Sequence, residues 1–265
     1  MSSAIHLSRT VCQALVEWVH SHVDAYLPVT YTEPEARRRI CRLDPAGARH
    51  DPSSNTHTDR RIWRLVSALG VDNQTVAAYL NEARGVRLEP PKPAMGERDL
   101  PSPMCSEDKY TTYAVTRAAA PRVVIETGVA HGASSAYILA ALQRVPCAVL
   151  ISIEKDRDPR VGQLVPNEWR DRWTLCRGDS LELLPRIAAE YGGVDLFLHD
   201  SVHTYRHMRA EFEAIWPAIR PGGLLCAHDI LHNNVFPRFA RRHQSEIDLC
   251  ATNINFGMIR KKASV

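Results

Sequence analysis

The chain lacks the cysteine spacing that a zinc site or a disulfide framework requires. It has seven cysteines among 265 residues, and no two of them are separated by only two residues. Closely spaced pairs are typical of structural zinc sites, and an even set of cysteines is typical of small secreted domains. Cys147 and Cys226 stand in apolar runs, where a thiol behaves as a small hydrophobic side chain. Neither a zinc site nor a disulfide framework is expected.

The sequence also lacks long apolar runs and a strong excess of charge. No stretch approaches the roughly 20 apolar residues of a membrane-spanning helix, and the first residues do not resemble a signal peptide. The formal net charge is +3, and the short basic clusters at 37–39 and 241–242 are interpreted as solvated helix faces. We therefore expect a cytoplasmic protein without a membrane partner or a nucleic-acid partner.

Proline is concentrated between Glu89 and Pro103, where five of the 17 prolines lie. Proline has no backbone donor and restricts the residue before it, so this stretch predicts an extended connector. The sequence thus divides into a helical N-terminal region at 1–88, a linker at 89–104 and a larger domain at 105–265. We expect the N-terminal helices to form a lid or an oligomer contact, and the chain to form a homo-oligomer.

Apolar runs that alternate with helical patterns follow the linker. Such alternation is typical of a parallel sheet that is covered by helices on both faces. The prediction is an α/β fold with a doubly wound, Rossmann-like, mostly parallel sheet and an antiparallel C-terminal edge. The predicted strands are Val123–Glu126, Ala148–Ile153, Trp173–Arg177, Asp195–His199, Gly223–Ala227, Leu249–Ala251 and Asn255–Arg260. The predicted helices are 11–23, 62–69, 72–83, 106–119, one starting at Ser134, 181–191 and 205–219.

A glycine loop follows the first predicted strand, with the sequence Glu-Thr-Gly-Val-Ala-His-Gly at 126–132. Gly128 allows a turn and close approach of a ligand, and Gly132 allows the next helix to pack tightly. The dinucleotide pattern has a third glycine that is absent here. The carboxylate of Glu126 favours a cationic ligand such as a sulfonium amino acid. Glycine turns after strands are common, however, so the loop alone also fits an ordinary turn.

Two further acids stand at the ends of the second and third strands. Glu154 is placed to accept hydrogen bonds from both hydroxyls of a ribose, although a surface glutamate beside Lys155 would show the same pattern. Asp179 is placed to accept from an adenine amino group, and Ser180 is predicted to cap the following helix.

Taken in order, these motifs give residues 110–261 a resemblance to a known family of enzymes. To the acids and glycines above it adds His-Asp-Ser-Val-His-Thr-Tyr at 199–205, Arg-Pro-Gly-Gly at 220–223 and His-Asp at 228–229. The segment resembles class I S-adenosylmethionine-dependent methyltransferases, in particular bacterial methyltransferase family 24, macrolide-sugar O-methyltransferases and cephalosporin hydroxylase-like proteins. The resemblance implies S-adenosylmethionine as the cofactor. The cofactor-binding residues that it implies are Glu126, Thr127, Gly128, Gly132, Ser134, Glu154, Asp179, Ser180 and Asp200.

The same resemblance implies the catalytic residues. Asp200 and Asp229 follow neighbouring strands, and acids at these two positions hold a divalent metal such as Mg²⁺ in metal-dependent relatives. His228 is the third candidate ligand, because it stands where relatives have Asn or Glu beside the second acid. His203, three residues after Asp200, corresponds to a general base, although a histidine that caps or packs a helix start would fit too. We place His207 on the solvent side of its helix.

Together these features predict an O-methyltransferase that acts on a hydroxyl of a small molecule. A sugar or a secondary-metabolite intermediate is the expected acceptor. Two alternatives remain open at this point: a cofactor-binding structural or regulatory protein without catalysis, and an N-methyltransferase of a small molecule. An RNA methyltransferase is disfavoured by the weak basic charge.

Overall fold

The computed structural model describes residues 57–88, 104–253 and 255–263. The predicted helix at 11–23 lies outside these ranges, as does the predicted linker at 89–104 except for its last residue. The helices are α1 (His57–Ser67), α2 (Asn73–Gly85), α3 (Ser106–Ala119), α4 (Ala133–Leu142), α5 (Ser180–Glu190), α6 (Tyr205–Ile215) and α7 (Val235–Arg242). The strands are β1 (Val123–Thr127), β2 (Val149–Glu154), β3 (Trp173–Arg177), β4 (Val194–His199), β5 (Ile219–Ala227), β6 (Ile247–Thr252) and β7 (Gly257–Lys261).

The strands form one sheet in the order β3-β2-β1-β4-β5-β7-β6. Strands β1 to β5 pair in parallel, whereas β7 pairs antiparallel with both β5 and β6. The doubly wound sheet with an antiparallel C-terminal edge is therefore confirmed. The strand order reverses between β1 and β4, and ligands bind outside the carboxyl ends of the strands at such a switch point.

Alternate residues of the central strands supply two separate hydrophobic layers. One face of the sheet packs against α1 to α4, and the other packs against α5, α6 and α7. Strand side chains in the first layer include Val124, Leu150, Leu196, Leu198 and Leu224, and those in the second include Ile125, Ile151, Ile153, Phe197 and Leu225. This two-sided burial explains why the strands are apolar without alternation.

The helices α1 and α2 belong to the first of these layers. Their side chains Ile62, Leu65 and Leu80 are at most 2% exposed and share one core with the sheet. A partly buried ion pair also joins α2 to α3, because Arg117 Nε donates to Glu82 Oε2 over 2.8 Å. The predicted helices at 62–69 and 72–83 are present, and Asp72 caps the second by accepting from the backbone N–H of Thr75.

The largest departure from prediction lies between α6 and β5. The predicted helix 205–219 ends at Ile215 and continues as a 3₁₀ turn, Trp216–Ala218. Pro217 explains the change, because it lacks a backbone donor and clashes with the preceding turn. Strand β5 starts at Ile219, earlier than predicted, and takes in the glycines at 222–223 as an irregularity of its pairing with β4.

Two elements were not predicted, the 3₁₀ helix Asn167–Arg172 and α7. Both are short, and α7 contains Pro237, which is a weak helix signal in a sequence. Within the described residues, no helix is long and apolar enough to cross a membrane.

Candidate active site

A cleft of about 550 Å³ opens at the carboxyl ends of the parallel strands. Its lining comes from the loop after β1, the end of β2, the start of α5, and the segments after β4 and β5. The predicted site residues in the lining are Gly128, Ser134, Glu154, Asp179, Ser180, Asp200, His203, His228 and Asp229. The other three, Glu126, Thr127 and Gly132, are buried behind this wall.

The loop after β1 adopts backbone conformations that favour glycine. Gly128 has a φ of +83°, and a Cβ there would lie 2.1 Å from the carbonyl oxygen of Asp200. Gly132 has a φ of +86°, and a Cβ there would lie 2.8 Å from the Cα of Gly162. Both positions combine a left-handed backbone with close packing, so a side chain at either would move the loop.

Glu126 forms hydrogen bonds with side chains in the interior of the domain. Its Oε1 accepts hydrogen bonds from the hydroxyls of Ser135 and Ser152, the latter over 2.5 Å, and its side chain is fully buried. Burial raises the pKa of Glu126 to about 7, although the neighbouring serine hydroxyls act in the opposite direction. The carboxyl of Glu126 therefore keeps its proton to a higher pH than an exposed glutamate does.

Glu154 joins the second strand to the glycine loop. Its Oε2 accepts from the backbone N–H groups of Val129 and Ala130 at 2.9 and 3.1 Å. Its Oε1 accepts from the backbone N–H of Asp156 at 2.8 Å. Because a carboxylate has more lone pairs than these three bonds use, it can also accept from a ligand at the cleft wall.

At the start of α5, the capping residue is Asp179 and not Ser180. Asp179 Oδ1 accepts from the backbone N–H of Leu181 at 2.9 Å. That bond, together with the ammonium of Lys155 at 3.2 Å, lowers the pKa of Asp179. The predicted cap, Ser180, is the first helical residue, and its hydroxyl turns inward to donate to Glu211.

The ends of β4 and β5 bring Asp200, His203 and Asp229 together. His203 Nε2 lies 3.2 Å from Asp229 Oδ2 and 3.8 Å from Asp200 Oδ1. Asp229 has a φ of +55°, a conformation that aspartate tolerates better than most residues. Asn255 also holds this side chain, because its Nδ2 donates to Asp229 Oδ1 over 2.6 Å.

His203 has the properties of a base. Burial lowers its pKa below the ordinary value, while the two facing carboxylates act in the opposite direction. The ring is therefore mostly neutral near pH 7, with an acceptor nitrogen available. Asn233 fixes the backbone here by donating from Nδ2 to the His203 carbonyl over 3.0 Å.

His228 bridges carboxylates on two sides. Its Nε2 lies 2.9 Å from Asp108 Oδ2, while its Nδ1 lies 3.0 Å from Asp200 Oδ1 and 3.5 Å from Asp229 Oδ2. Burial alone would lower the pKa of His228, but the three carboxylates outweigh it and raise that pKa to about 12. The imidazolium thus connects α3 with the ends of both strands.

A family model described as a methyltransferase domain matches residues 125–230, the part of the chain that carries this geometry. Residues 125–230 are a methyltransferase domain. The match begins within β1 and ends just after Asp229, so it contains every predicted site residue.

The sequence of one characterised relative matches a short segment of the chain. Over 64 residues, the chain is 43% identical to the mycinamicin VI 2''-O-methyltransferase of Micromonospora griseorubida. That alignment covers 24% of this chain and 16% of the relative, so the chain matches about a sixth of the relative's length.

Two solved structures have a similar backbone. The MycE methyltransferase of mycinamycin biosynthesis, solved with Mg and SAH, is 22% identical with a TM-score of 0.42. That match covers 53% of this chain and 45% of MycE. An O-methyltransferase from Bacillus cereus, solved with SAH, is 17% identical with a TM-score of 0.48, and the match covers 76% of this chain and 97% of that one.

The methyltransferase domain has a donor set that fits a divalent cation. One ligand atom from each of Asp200, His203 and Asp229 lies within 4.8 Å of the others, and carboxylate oxygens are preferred ligands of Mg²⁺. His228, the third predicted ligand, has both ring nitrogens on carboxylates, which leaves no lone pair for a metal in this arrangement. The third member of the cluster is His203, whose Nε2 faces the two acids.

The prediction that His207 faces solvent is wrong. His207 lines the cleft of the methyltransferase domain, and its Nε2 lies 3.0 Å from Glu211 Oε1 and 3.2 Å from Ser180 Oγ. Sequence reasoning also missed Asp108 and Glu211, which contact site residues from α3 and α6. A signal for Glu211 did exist, because a carboxylate on the apolar stripe of a helix requires buried partners.

Proposed function

We propose that this chain is an S-adenosylmethionine-dependent O-methyltransferase that acts on a hydroxyl of a small molecule, a sugar or a secondary-metabolite intermediate. The observation that carries the proposal is the composition of the cleft. One wall contains the glycine loop at 126–132 together with the acids Glu154 and Asp179. The other wall contains the neutral His203 beside the carboxylates of Asp200 and Asp229. The 2''-O-methyltransferase named above, which matches over 64 residues, supports this acceptor class.

In the first wall, Gly128 permits close approach of the cofactor, while Glu154 accepts from its ribose hydroxyls. Asp179 accepts from its adenine amino group, and Ser134 lines the cleft at the start of α4. S-adenosylmethionine supplies an electrophilic methyl group on a sulfonium sulfur. The negative charge of this wall complements that cation, and the ordered loop holds donor and acceptor in line.

In the second wall, His203 removes the proton of the acceptor hydroxyl. A neutral hydroxyl is a poor nucleophile, so general-base catalysis contributes directly to the rate. The Asp229 and Asp200 carboxylates on the side of Nε2 stabilise the imidazolium that results when the ring takes the proton. His203 can therefore hold the proton until the product leaves.

The carboxylates of Asp200 and Asp229 would hold a divalent cation, with Mg²⁺ as the candidate. Such an ion lowers the pKa of a bound hydroxyl. The carboxylates also keep His203 oriented, since both lie on the side of its Nε2. His228 neutralises part of their charge from the α3 side, which limits the repulsion between the two acids.

The test is an assay of the purified chain with S-adenosylmethionine and a panel of hydroxylated sugars and glycosylated metabolites. We expect S-adenosylhomocysteine to form together with an O-methylated product identified by mass spectrometry and NMR. Binding of S-adenosylhomocysteine without transfer to any acceptor would favour a cofactor-binding regulatory protein. Methylation at nitrogen in amino-sugar acceptors would overturn the assignment to oxygen.

A further inference from the structure

Glu211 on α6 is a fully buried carboxylate with five hydrogen-bond donors around it. Its Oε2 accepts from Thr127 Oγ1 at 2.8 Å and lies 2.6 Å from His199 Nδ1. Its Oε1 accepts from the hydroxyls of Ser180 and Ser201, the latter at 2.9 Å. His207 Nε2 lies 3.0 Å from the same oxygen.

These donors come from separate parts of the cleft wall. Thr127 ends β1 directly before the glycine loop, and Ser180 begins α5 beside Asp179. His199 ends β4 directly before Asp200, and Ser201 follows that aspartate. One carboxylate thus connects the wall assigned to the cofactor with the wall assigned to catalysis.

The contact with His199 extends the connection to His203. The His199 and His203 rings pack edge to face, with centroids 5.5 Å apart. His199 is completely buried and rests on Phe212 on its other side, at 5.7 Å. Glu211 therefore holds the ring that supports the proposed base.

The position of Glu211 in its helix explains why it reaches these partners. Met208, Phe212 and Ile215 form the apolar stripe of α6 that packs on the sheet, and Glu211 lies on the same stripe. A carboxylate placed there is stable only with several donors, because burial of an unpaired charge is costly. The five donors meet that requirement, and a packing role alone would be met by an apolar residue.

We infer that Glu211 is a positioning residue that couples the cofactor wall to the catalytic wall of the cleft. It touches neither ligand, since it is not part of the cleft lining, and it acts through Thr127, Ser180, Ser201 and His199. The inference rests on the proposed function, because the walls are named by the ligands assigned to them.

The first test compares Glu211→Gln with Glu213→Gln. Glutamine keeps the shape, but one of its two terminal groups can no longer accept, so several donors lose their partner. Glu213 is the matched control, two residues further on, partly exposed and paired with Arg242 at 2.6 Å. Calorimetry with S-adenosylhomocysteine should show an affinity loss of about tenfold or more for Glu211→Gln and none for Glu213→Gln.

A second variant covers the case in which Glu211→Gln fails to fold. Thr127→Val is close to isosteric, is buried away from the cleft, and removes one donor to Glu211. We expect about threefold or greater weakening of S-adenosylhomocysteine binding, with a fall in kcat that exceeds any change in acceptor KM. In the double variant the two losses should be less than additive, because both remove the same bond.

A spectroscopic signature separates positioning from general stability. In the wild type, NMR of the imidazole nitrogens should show His199 with its proton on Nδ1, directed to Glu211. Thr127→Val should retain that tautomer, whereas Glu211→Gln should change its shifts. Glu211→Asp, which keeps a carboxylate, should recover part of the affinity that Glu211→Gln loses.

The outcomes distinguish this inference from the proposed function. If the wild type does not bind S-adenosylhomocysteine, the proposed function fails. If the wild type binds and Thr127→Val and folded Glu211→Gln bind within twofold of it, with unchanged His199 shifts, the coupling role of Glu211 is overturned.

Discussion

The Nε2 atom of His203 lies 3.2 Å from the Oδ2 atom of Asp229, and this contact joins the segments that follow two neighbouring strands. The β4 and β5 strands pair in parallel, with His199 opposite Ala227. The residues just beyond that pair therefore meet at one edge of the sheet. A histidine and two acids are brought together there by strand register, although the sequence separates His203 from Asp229 by 26 positions.

Replacement of His203 by alanine should lower kcat by about 10²- to 10⁴-fold, the usual contribution of a general base. Binding of S-adenosylhomocysteine should change little, because the ring belongs to the catalytic wall. Steady-state kinetics and calorimetry on the same preparation separate the two effects. His243→Ala, at the C-terminal end of α7 and outside the cleft lining, is the control. An unreduced kcat for His203→Ala would exclude the base role.

Removal of divalent metal should lower the methyl-transfer rate, and Mg²⁺ should restore it. The physical reason is that a cation held by Asp200 and Asp229 would assist ionisation of the hydroxyl. The measurement is the initial rate after dialysis against EDTA and after stepwise addition of MgCl₂. Asp229→Asn should need more Mg²⁺ for half-restoration than the wild type. A rate that EDTA leaves intact would remove the metal from the proposal while retaining His203.

Replacement of Glu126 by glutamine should change the pH dependence of stability. The pKa of Glu126 is raised by burial to about 7 in the folded chain, against about 4.3 when unfolded. Between these values the unfolded chain loses a proton that the folded chain keeps, so the contribution to stability falls as pH rises and is lost above about pH 7.

Glutamine does not ionise, so Glu126→Gln should gain stability relative to the wild type between pH 5 and pH 8. The gain should be up to about 3 kcal/mol, measured by urea unfolding at both pH values. Glu213→Gln, at a partly exposed site, is the control and should show no such gain. Parallel pH profiles for the wild type and Glu126→Gln would contradict the assignment.

Gly128→Ala and Gly70→Ala should differ sharply in their cost. Both glycines have a positive φ, of +83° and +87°, but a Cβ at Gly70 meets no atom within 4 Å. Gly70→Ala should therefore lose only about 1 kcal/mol of unfolding free energy from backbone strain. Gly128→Ala should lose about 3 kcal/mol or more, because its methyl group would overlap the Asp200 carbonyl. Equal losses in urea unfolding would show that space at Gly128 is not limiting.

The fold was largely predictable from local patterns. Apolar runs such as the one in β2 are buried on both faces of the sheet, and a continuous apolar run by itself predicts this burial. Caps and breakers were less reliable. Asp179 caps α5 where Ser180 was predicted, since both residue types accept from a helix N-terminus and only the backbone angles decide between them.

The site was predicted in outline, and its contacts were not. The motif order indicated that Asp200, His203 and Asp229 belong together, and the structure places them within a few ångströms. The motif order did not indicate that both ring nitrogens of His228 would contact carboxylates, because one of these carboxylates, that of Asp108, comes from α3. Glu211 was missed for the same reason, since its donors come from distant parts of the chain.

Sequence alone therefore determined the class of fold, the edge of the sheet where the cleft opens, and the residue types at that edge. These follow from periodicity and from motif spacing, which are local properties. Only the tertiary structure decided which acids face the cleft and which are buried, which histidine is charged, and which carboxylate connects the two walls. Burial and hydrogen-bond partners set these properties, and both depend on side chains that meet only when the sheet assembles.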